Sequence, residues 1–486
     1  MNITNEQKRK VLIITYYFPP LGMGGVQRVS KFVKYLPSFG WEPIVLTVKE
    51  IEYFSQDDSL LQELPEGIKI KRTGSLDPLR IIFLFKKLFQ RKKSYGKKTS
   101  GPDPACGGTS RVALRTIKKN KFEMRQVIGQ ETNDQPLKKE RFFPLRAQND
   151  SSFFSGLLKF INSFSFPDNK IGWFPFALLK GIKLCKEEKI DLLFSTSPPL
   201  TCHLAGYFLK KFTGIKWVAD YRDSFINNQD GKAVASFKKF FLKRLQKLFL
   251  KNGNGFIGVN QTIVEELKEI YPETKKIEVI TSGYDQEDFD FKVEKRKDIF
   301  QIIYFGTFSP DCPPEPFFKA LHNLLHQGKL SKYKIKFIDV GISIGIDIER
   351  LVEEYGLKEI VELKGYLPHK EGVTELLKSD LALLTVAESA PVITTGKIFE
   401  YLGAQIPVLA IVPKSGEASK LIETLSAGKV VSPENISGIE EAILYYYREF
   451  ESGKSFLKTK EVKLNKFERK YLTSKLTQIF DMVVKQ

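Results

Sequence analysis

The stretch Val11-Leu12-Ile13-Ile14-Thr15-Tyr16-Tyr17-Phe18-Pro19-Pro20-Leu21-Gly22-Met23-Gly24-Gly25-Val26 decides the architecture. Val11–Tyr17 is apolar and rich in β-branched residues, which predicts a buried strand. The run is too short to span a membrane and Pro19-Pro20 stops it, so it reads as a strand and not as a signal peptide. The prolines and glycines impose a loop. Val26, Val29, Phe32, Val33 and Leu36 then recur at helical spacing. Further strands are expected at Pro43–Val48 and Ile68–Arg72. A β-α-β opening with a glycine-rich first turn begins a doubly wound α/β domain.

The alternation breaks between about residues 86 and 166. Arg91-Lys92-Lys93, Lys97-Lys98, Gly101-Pro102-Asp103-Pro104 and Gly107-Gly108 mark this segment as an insertion of loop or weak helix. Strands are expected again at Ile190–Ser195, Lys216–Ala219, Gly255–Val259 and Ile277–Ile280, with helices at Thr201–Phe212, Phe237–Lys251 and Thr262–Ile270. A second α/β series starts at Gln301, with strands near 301–306, 334–340, 360–363, 381–385, 407–411 and 429–431. Helices alternate with them, and Phe467–Val484 is a final amphipathic helix. The expected fold class is α/β: two Rossmann-like doubly wound domains facing a central cleft at the carboxyl ends of both sheets. The domains are 1–285 with the basic insertion, 286–455, and a terminal helix within 456–486 that packs back on the first domain.

The chain has 486 residues, 42% hydrophobic and 27% charged, which fits a globular protein of two or three domains. Cys106, Cys185, Cys202 and Cys312 lie far apart without a CxxC pattern, which points to a reducing, cytoplasmic setting and away from a zinc site. No metal or cofactor is expected. The net charge is +19, and residues 80–150 hold 18 Lys or Arg against 6 Asp or Glu, so +12 of it lies there. Such a surface suits nucleic acid, anionic lipid or a phosphorylated substrate. Nucleic acid is disfavoured, because no element combines aromatic and basic residues in a recognition motif.

Three places could carry chemistry. In the first loop, Gly24, Gly25 and Arg28 could bring backbone N–H groups and a cation to an anion; the spacing alone favours a tight turn with a surface arginine. Asp220-Tyr221-Arg222-Asp223 follows a strand, where active sites of open sheets lie; an internal Arg–Asp pair is the alternative. Ser197, in Ser195-Thr196-Ser197-Pro198-Pro199, borders the same edge, where the segment by itself reads as a turn and helix start.

The third place is Thr394-Thr395-Gly396-Lys397-Ile398-Phe399-Glu400. A threonine cap starts a helix, yet Lys397 in the first turn opposes the dipole by about 0.3–1 kcal/mol. Gly396 costs about 1 kcal/mol if it lies inside the helix. Free N–H groups, the dipole and a lysine would together cradle a diphosphate, and Glu400 could accept from two vicinal hydroxyls. A Lys397–Glu400 ion pair is the alternative, which leaves Gly396 unexplained.

Taken in order, these residues resemble bacterial family-4-type glycosyltransferases of the GT-B fold, in the branch of cell-surface polysaccharide assembly. Tyr16-Tyr17-Phe18-Pro19-Pro20, Gly24–Arg28, Ser195–Pro199, Asp220–Asp223, Ser282–Asp285, Gly365-Tyr366-Leu367-Pro368 and Lys397–Leu402 carry the likeness. The resemblance implies that Glu400 holds a ribose, that Gly365 and Tyr366 lie against the base, and that Gly306, Thr395, Gly396 and Lys397 meet the diphosphate. Gly24, Gly25 and Asp220–Asp223 would line the transfer site. It implies a retaining, metal-independent transfer from a nucleoside-diphosphate sugar to a saccharide or lipid-linked acceptor.

Two positions depart from the family. Val392 stands where a glutamate often touches the donor sugar, and no basic residue follows Gly306 within Thr307–Pro314. Lys397, Arg28 or Arg222 would then supply the cation, or activity is lost. The rivals are a GT-B sugar-nucleotide epimerase and a catalytically degenerate GT-B partner. The lysine-rich helix Lys238–Lys251 reads first as an ordinary sheet-covering helix, which the fold needs there; it and the Arg91–Lys98 run could also lie on the anionic inner face of the plasma membrane.

Overall fold

In the computed structural model the described residues are 8–22, 24–51, 55–77, 80–81, 83–84, 166–224, 236–274, 276–393, 395–453 and 464–485. Contacts divide the chain into residues 1–81 with 165–486, which carry both sheets, and residues 82–164. The sequence reading of 86–166 as loop or weak helix lies almost wholly outside the described residues.

The first sheet is built from β1 (Arg9–Ile14), β2 (Trp41–Val48), β3 (Lys69–Thr73), β4 (Leu192–Ser197), β5 (Lys216–Tyr221), β6 (Gly255–Gly258) and β7 (Ile277–Val279). All pairings are parallel, in the order β3-β2-β1-β4-β5-β6-β7. A parallel sheet is covered on both faces, so its central strands are continuous apolar runs: Val11, Leu12, Ile13 and Ile14 are all fully buried. The helices among its described residues are α1 (Gly24–Tyr35), the single turn α2 (Ser59–Gln62), α3 (Phe174–Glu188), α4 (Thr201–Thr213), α5 (Ser236–Asn252) and α6 (Gln261–Ile270). Helix α3 was not expected from the sequence. It carries Gly181 mid-helix, where an added Cβ would stand 2.7 Å from Leu209 of α4. The glycine lowers helix propensity and lets the two helices approach.

The second sheet has β8 (Phe300–Phe305), β9 (Ile335–Val340), β10 (Val361–Gly365), β11 (Leu381–Thr385), β12 (Val408–Ile411) and β13 (Gly428–Val431). Its order is β10-β9-β8-β11-β12-β13, again parallel. Helices α7 (Glu315–His326), α8 (Ile348–Glu354), α9 (His369–Lys378), α10 (Lys397–Gly403), α11 (Glu417–Leu425) and α12 (Ile436–Glu451) alternate with the strands. Each sheet reverses its winding once, beside β1 and β4 in the first and beside β8 and β11 in the second. A ligand crevice is expected at such points.

The chain passes twice between the sheets. Residues 280–299 lead out, and residues 464–468 lead back into α13 (Arg469–Lys485). The two passes are tied to each other. Tyr284 N donates to Phe467 O at 3.1 Å and Arg469 N to Tyr284 O at 2.8 Å. An added Cβ on Gly283 would stand 2.2 Å from Phe467 O, so the glycine permits this approach. Helix α13 then packs Leu472, Leu476, Ile479, Phe480 and Val483 against Val11, Ile13 and Trp41 of the first sheet. Asp481 accepts from Arg9 at 2.9 Å and from Trp41 Nε1 at 3.1 Å.

A buried ionic knot joins α1 to the outgoing pass. Lys31 Nζ donates to Asp285 at 2.7 Å and to Asp288 at 2.8 Å, and lies 2.7 Å from Glu63. Asp285 also accepts from Tyr35 at 2.6 Å and Lys34 at 2.9 Å.

Candidate functional site

A cleft of about 390 Å³ opens where both reversals meet. Such a size suits a small-molecule ligand. From the first sheet it is lined by Gly24, Gly25, Arg28, Arg222 and Asp223, and from the second by Gly306, Tyr366, Thr395, Gly396, Lys397 and Glu400. Ser197, Asp220 and Gly365, also singled out from the sequence, are not among the lining residues.

On the first wall, α1 begins at Gly24 and Gly25. Both are exposed, an added Cβ would meet nothing within 4 Å, and the first turn holds no acidic residue. The helix therefore presents unscreened N–H groups to the cleft.

Arg28, one turn on, is not a surface arginine. Its Nε and Nη2 grip Asp220 at 3.1 and 2.8 Å, and its Nη1 and Nη2 donate to Thr281 O and Ile280 O at 2.6 and 2.8 Å. Asp220 is fully buried and takes a further bond from Thr196 at 2.8 Å. Burial would raise the Asp220 pKa, but Arg28 outweighs it and holds the carboxyl below its ordinary value. The anticipated internal ion pair exists, but between Asp220 and Arg28, not Arg222.

Arg222 instead clamps backbone. It donates to Ser197 O at 2.9 Å, Pro198 O at 3.1 Å and Gly25 O. Ser197 is fully buried, and its hydroxyl faces Asp220 O at 3.4 Å. Asp223 alone of these acids is exposed to the cleft.

On the second wall, Gly396 occupies the cap of α10 with no side-chain capping bond. This corrects the expected threonine cap: Thr394 lies outside the described residues, and the buried Thr395 Oγ1 has no hydrogen-bond partner among them. Gly396 thus sits at the helix boundary and escapes the interior penalty.

Lys397 does not pair with Glu400. It turns under the wall, donates to Thr307 O at 3.1 Å and to the Tyr304 hydroxyl, and lies 4.3 Å over the Tyr304 ring. Burial pushes its pKa down, against the pull of Cys312 and Asp339. The stem of Lys397 crosses Gly306, where an added Cβ would stand 2.1 Å from Lys397 Cε, at φ +151°. Gly306→Ala is therefore expected to expel the lysine from this position. The expected cost is about 1–3 kcal/mol, measured as a lowered thermal midpoint.

Glu400 forms the floor and is 7% exposed. Its Oε1 lies 3.8 Å from Arg469 Nη2 and its Oε2 lies 3.5 Å from His369 Nε2, with no hydrogen bond to Oε2 among the described residues. Burial would raise its pKa, yet His369, Arg469 and Lys31 outweigh burial and keep the carboxyl below the usual value. An ionised carboxylate with an unpartnered oxygen can accept from a diol. His369 and Arg469 were not singled out from the sequence. Arg469 opens the terminal helix, and nothing local marks it as a cleft cation.

Two hydrogen bonds tie the half with the first sheet to the half with the second. Thr262 donates to Glu417 at 2.8 Å, and His369 N donates to Asp57 at 2.9 Å.

No protein-family model and no curated protein sequence matches this chain. Solved structures do match. Sucrose-phosphate synthase from Thermosynechococcus elongatus aligns with TM-score 0.59 at 14% identity, over 98% of this chain and 99% of that one. Anabaena HepE in complex with UDP and glucose aligns with TM-score 0.61 at 12% identity, over 98% and 100%. A Listeria monocytogenes protein described as a UDP-N-acetylglucosamine 2-epimerase aligns with TM-score 0.51 at 11% identity, over 97% and 95%. The fold is GT-B. At these identities the likeness is one of architecture. It matches the two-sheet arrangement expected from the sequence. Among the described residues no helix is long and apolar enough to cross a membrane.

Proposed function

We propose that this chain is a glycosyltransferase that moves a hexose-type residue from a nucleoside-diphosphate sugar to a growing, lipid-linked surface saccharide. The observation that carries the reading is Glu400: a buried carboxylate, held ionised by its neighbours, with one oxygen unpartnered among the described residues, lining a cleft between two doubly wound sheets. In this reading Glu400 accepts from the ribose hydroxyls and Tyr366 borders the base. The diphosphate lies between the helix starts at Gly24–Gly25 and Gly396, where peptide dipoles favour an anion. The HepE structure, titled as a complex with UDP and glucose, supports this choice of ligand.

The reading makes transfer retaining and metal-independent. Cations of the chain itself match the carboxylates around the cleft: Arg28 pairs with Asp220, and His369 and Arg469 flank Glu400. Of Asp220, Arg222 and Asp223, it is Asp223 that faces the acceptor, while the other two shape the wall. The lysine-rich face of α5 with the half-exposed Phe240 and Phe241 would rest on anionic lipid at the inner membrane face, in the cytoplasm. The likeness to the Listeria protein favours an epimerase as the second reading. Donor consumption that needs no acceptor would select it.

A thermal-shift panel of UDP, GDP, ADP, dTDP and their sugars tests the proposal. A ligand at 100 times its dissociation constant stabilises the folded state by about 2.7 kcal/mol. One base is expected to stand out; a panel without any shift refutes the reading.

A further inference from the structure

His369 opens α9 beside Glu400. The ring is 5% exposed and lies between two acids, with Nε2 3.5 Å from Glu400 Oε2 and Nδ1 3.8 Å from Asp288 Oδ2. Its ring plane stacks on Phe305 at 6.2 Å between centroids and 26° between planes, and Phe305 lines the cleft. The backbone N of His369 is fixed to Asp57 at 2.9 Å. Neither His369 Nε2 nor Glu400 Oε2 makes a hydrogen bond among the described residues, although both are buried.

A neutral imidazole would turn one lone pair toward a carboxylate oxygen, whereas an imidazolium offers an N–H to each side. The surrounding charges are complete on both flanks. Asp288 takes two bonds from Lys31 Nζ, at 2.8 and 2.9 Å, and Lys31 also holds Asp285 and Glu63. Beyond Glu400 stands Arg469 at 3.8 Å.

We propose that His369 is a positioning residue for the nucleotide: clamped between Asp288 and Glu400 as an imidazolium, it keeps the Glu400 carboxylate ionised and turned toward a ribose diol. This rests on the reading of the cleft as a donor site. Nucleoside-diphosphate affinity then falls when the ring loses its proton, because a neutral imidazole has one N–H to share between Asp288 and Glu400 and no longer fixes the Glu400 carboxylate. Burial by itself would lower the imidazole pKa; Glu400 and then Asp288 outweigh it against Lys31, and the value is raised. The proton is therefore held at pH 6.5, near the ordinary histidine value of about 6.5, and leaves only as pH climbs through the raised value.

The test is calorimetric titration of the full chain between pH 6.5 and 9.5 with whichever of UDP, GDP, ADP and dTDP binds most tightly. The wild-type dissociation constant is expected to rise about fivefold across this window, as for one weakened hydrogen bond between the diol and its carboxylate. His369→Gln is expected to bind about fivefold more weakly at pH 6.5 and to show a flat profile. Parallel profiles for the two proteins overturn the positioning role and leave the nucleotide site standing. Binding of none of the four by wild type overturns both.

Should His369→Gln not fold, imidazole resonances of the wild-type chain, which has four histidines, decide the matter. One histidine is expected to titrate above pH 6.5 and to move when nucleotide is added. If no histidine titration responds to nucleotide, the proposal fails.

Discussion

Glu400→Ala is expected to abolish the nucleotide-induced thermal shift at a ligand concentration that saturates the wild-type protein. Each hydrogen bond from a ribose hydroxyl to an ionised carboxylate contributes about 1.5–3 kcal/mol, so losing two weakens binding by at least about a hundredfold. The alternative acceptors on that floor are poor. Thr395 Oγ1 can accept only weakly, and His369 and Arg469 bring donors. The substitution also leaves His369 and Arg469 facing each other without the anion between them, so a lower unliganded midpoint accompanies the loss. Glu400→Gln keeps the shape and removes the charge, and it is expected to lie between the two. A Glu400→Ala protein that retains the full wild-type shift would remove this residue from the binding site.

The largest effect on stability is expected from Lys31→Ala. The Lys31 side chain is 1% exposed and sits among Glu63, Asp285 and Asp288. Removing the cation takes from Asp288 its ammonium partner and from Asp285 one of its two, and breaking a buried pair costs about 3–5 kcal/mol. Lys34 holds only Asp285 and Glu287, so it cannot replace Lys31 at Asp288. The expected observation is a marked drop in the denaturant midpoint.

Acidity gives a second view of the same knot. Burial would raise the Asp285 pKa, but Lys31, Tyr35 and Lys34 outweigh it and hold the carboxyl well below its ordinary value. Its contribution is thus complete above about pH 4 and is lost only as pH falls through the lowered value. The stability gap between wild type and Lys31→Ala should therefore narrow as pH falls below about 4. Equal midpoints for the two proteins would show that the knot contributes nothing net.

The sheets were legible because a strand covered on both faces must be apolar along its length. Phe300–Phe305, Leu381–Thr385 and Leu192–Ser197 lie within a residue or two of their expected places. The first strand instead ends at Ile14, because Thr15 to Phe18 already belong to the turn. Helix α3 was missed because it follows the irregular insertion and carries a glycine chosen for packing.

At the site, local rules pointed to Gly396 and Lys397, since a lysine and a glycine at a helix start break propensity. The use made of Lys397 was not legible. Its partners Tyr304 and Thr307 lie 93 and 90 residues away. Arg28 looked like a surface residue because Asp220 is 192 positions distant. His369 and Arg469 give no local signal at all, since a charge between distant acids is a property of the folded chain.

The twin passes between the lobes have a mechanical consequence. A lobe hung on one thread could swing in every direction. Here Tyr284 and Phe467 are laced side by side, and the returning segment is pinned to the first lobe by the long terminal helix. Two adjacent pins leave a door one axis to turn on. Arg469 stands beside that axis while the glycine-led helix starts stand on the leaves, so any rotation that separates those starts must first break the bonds from Thr262 to Glu417 and from His369 N to Asp57.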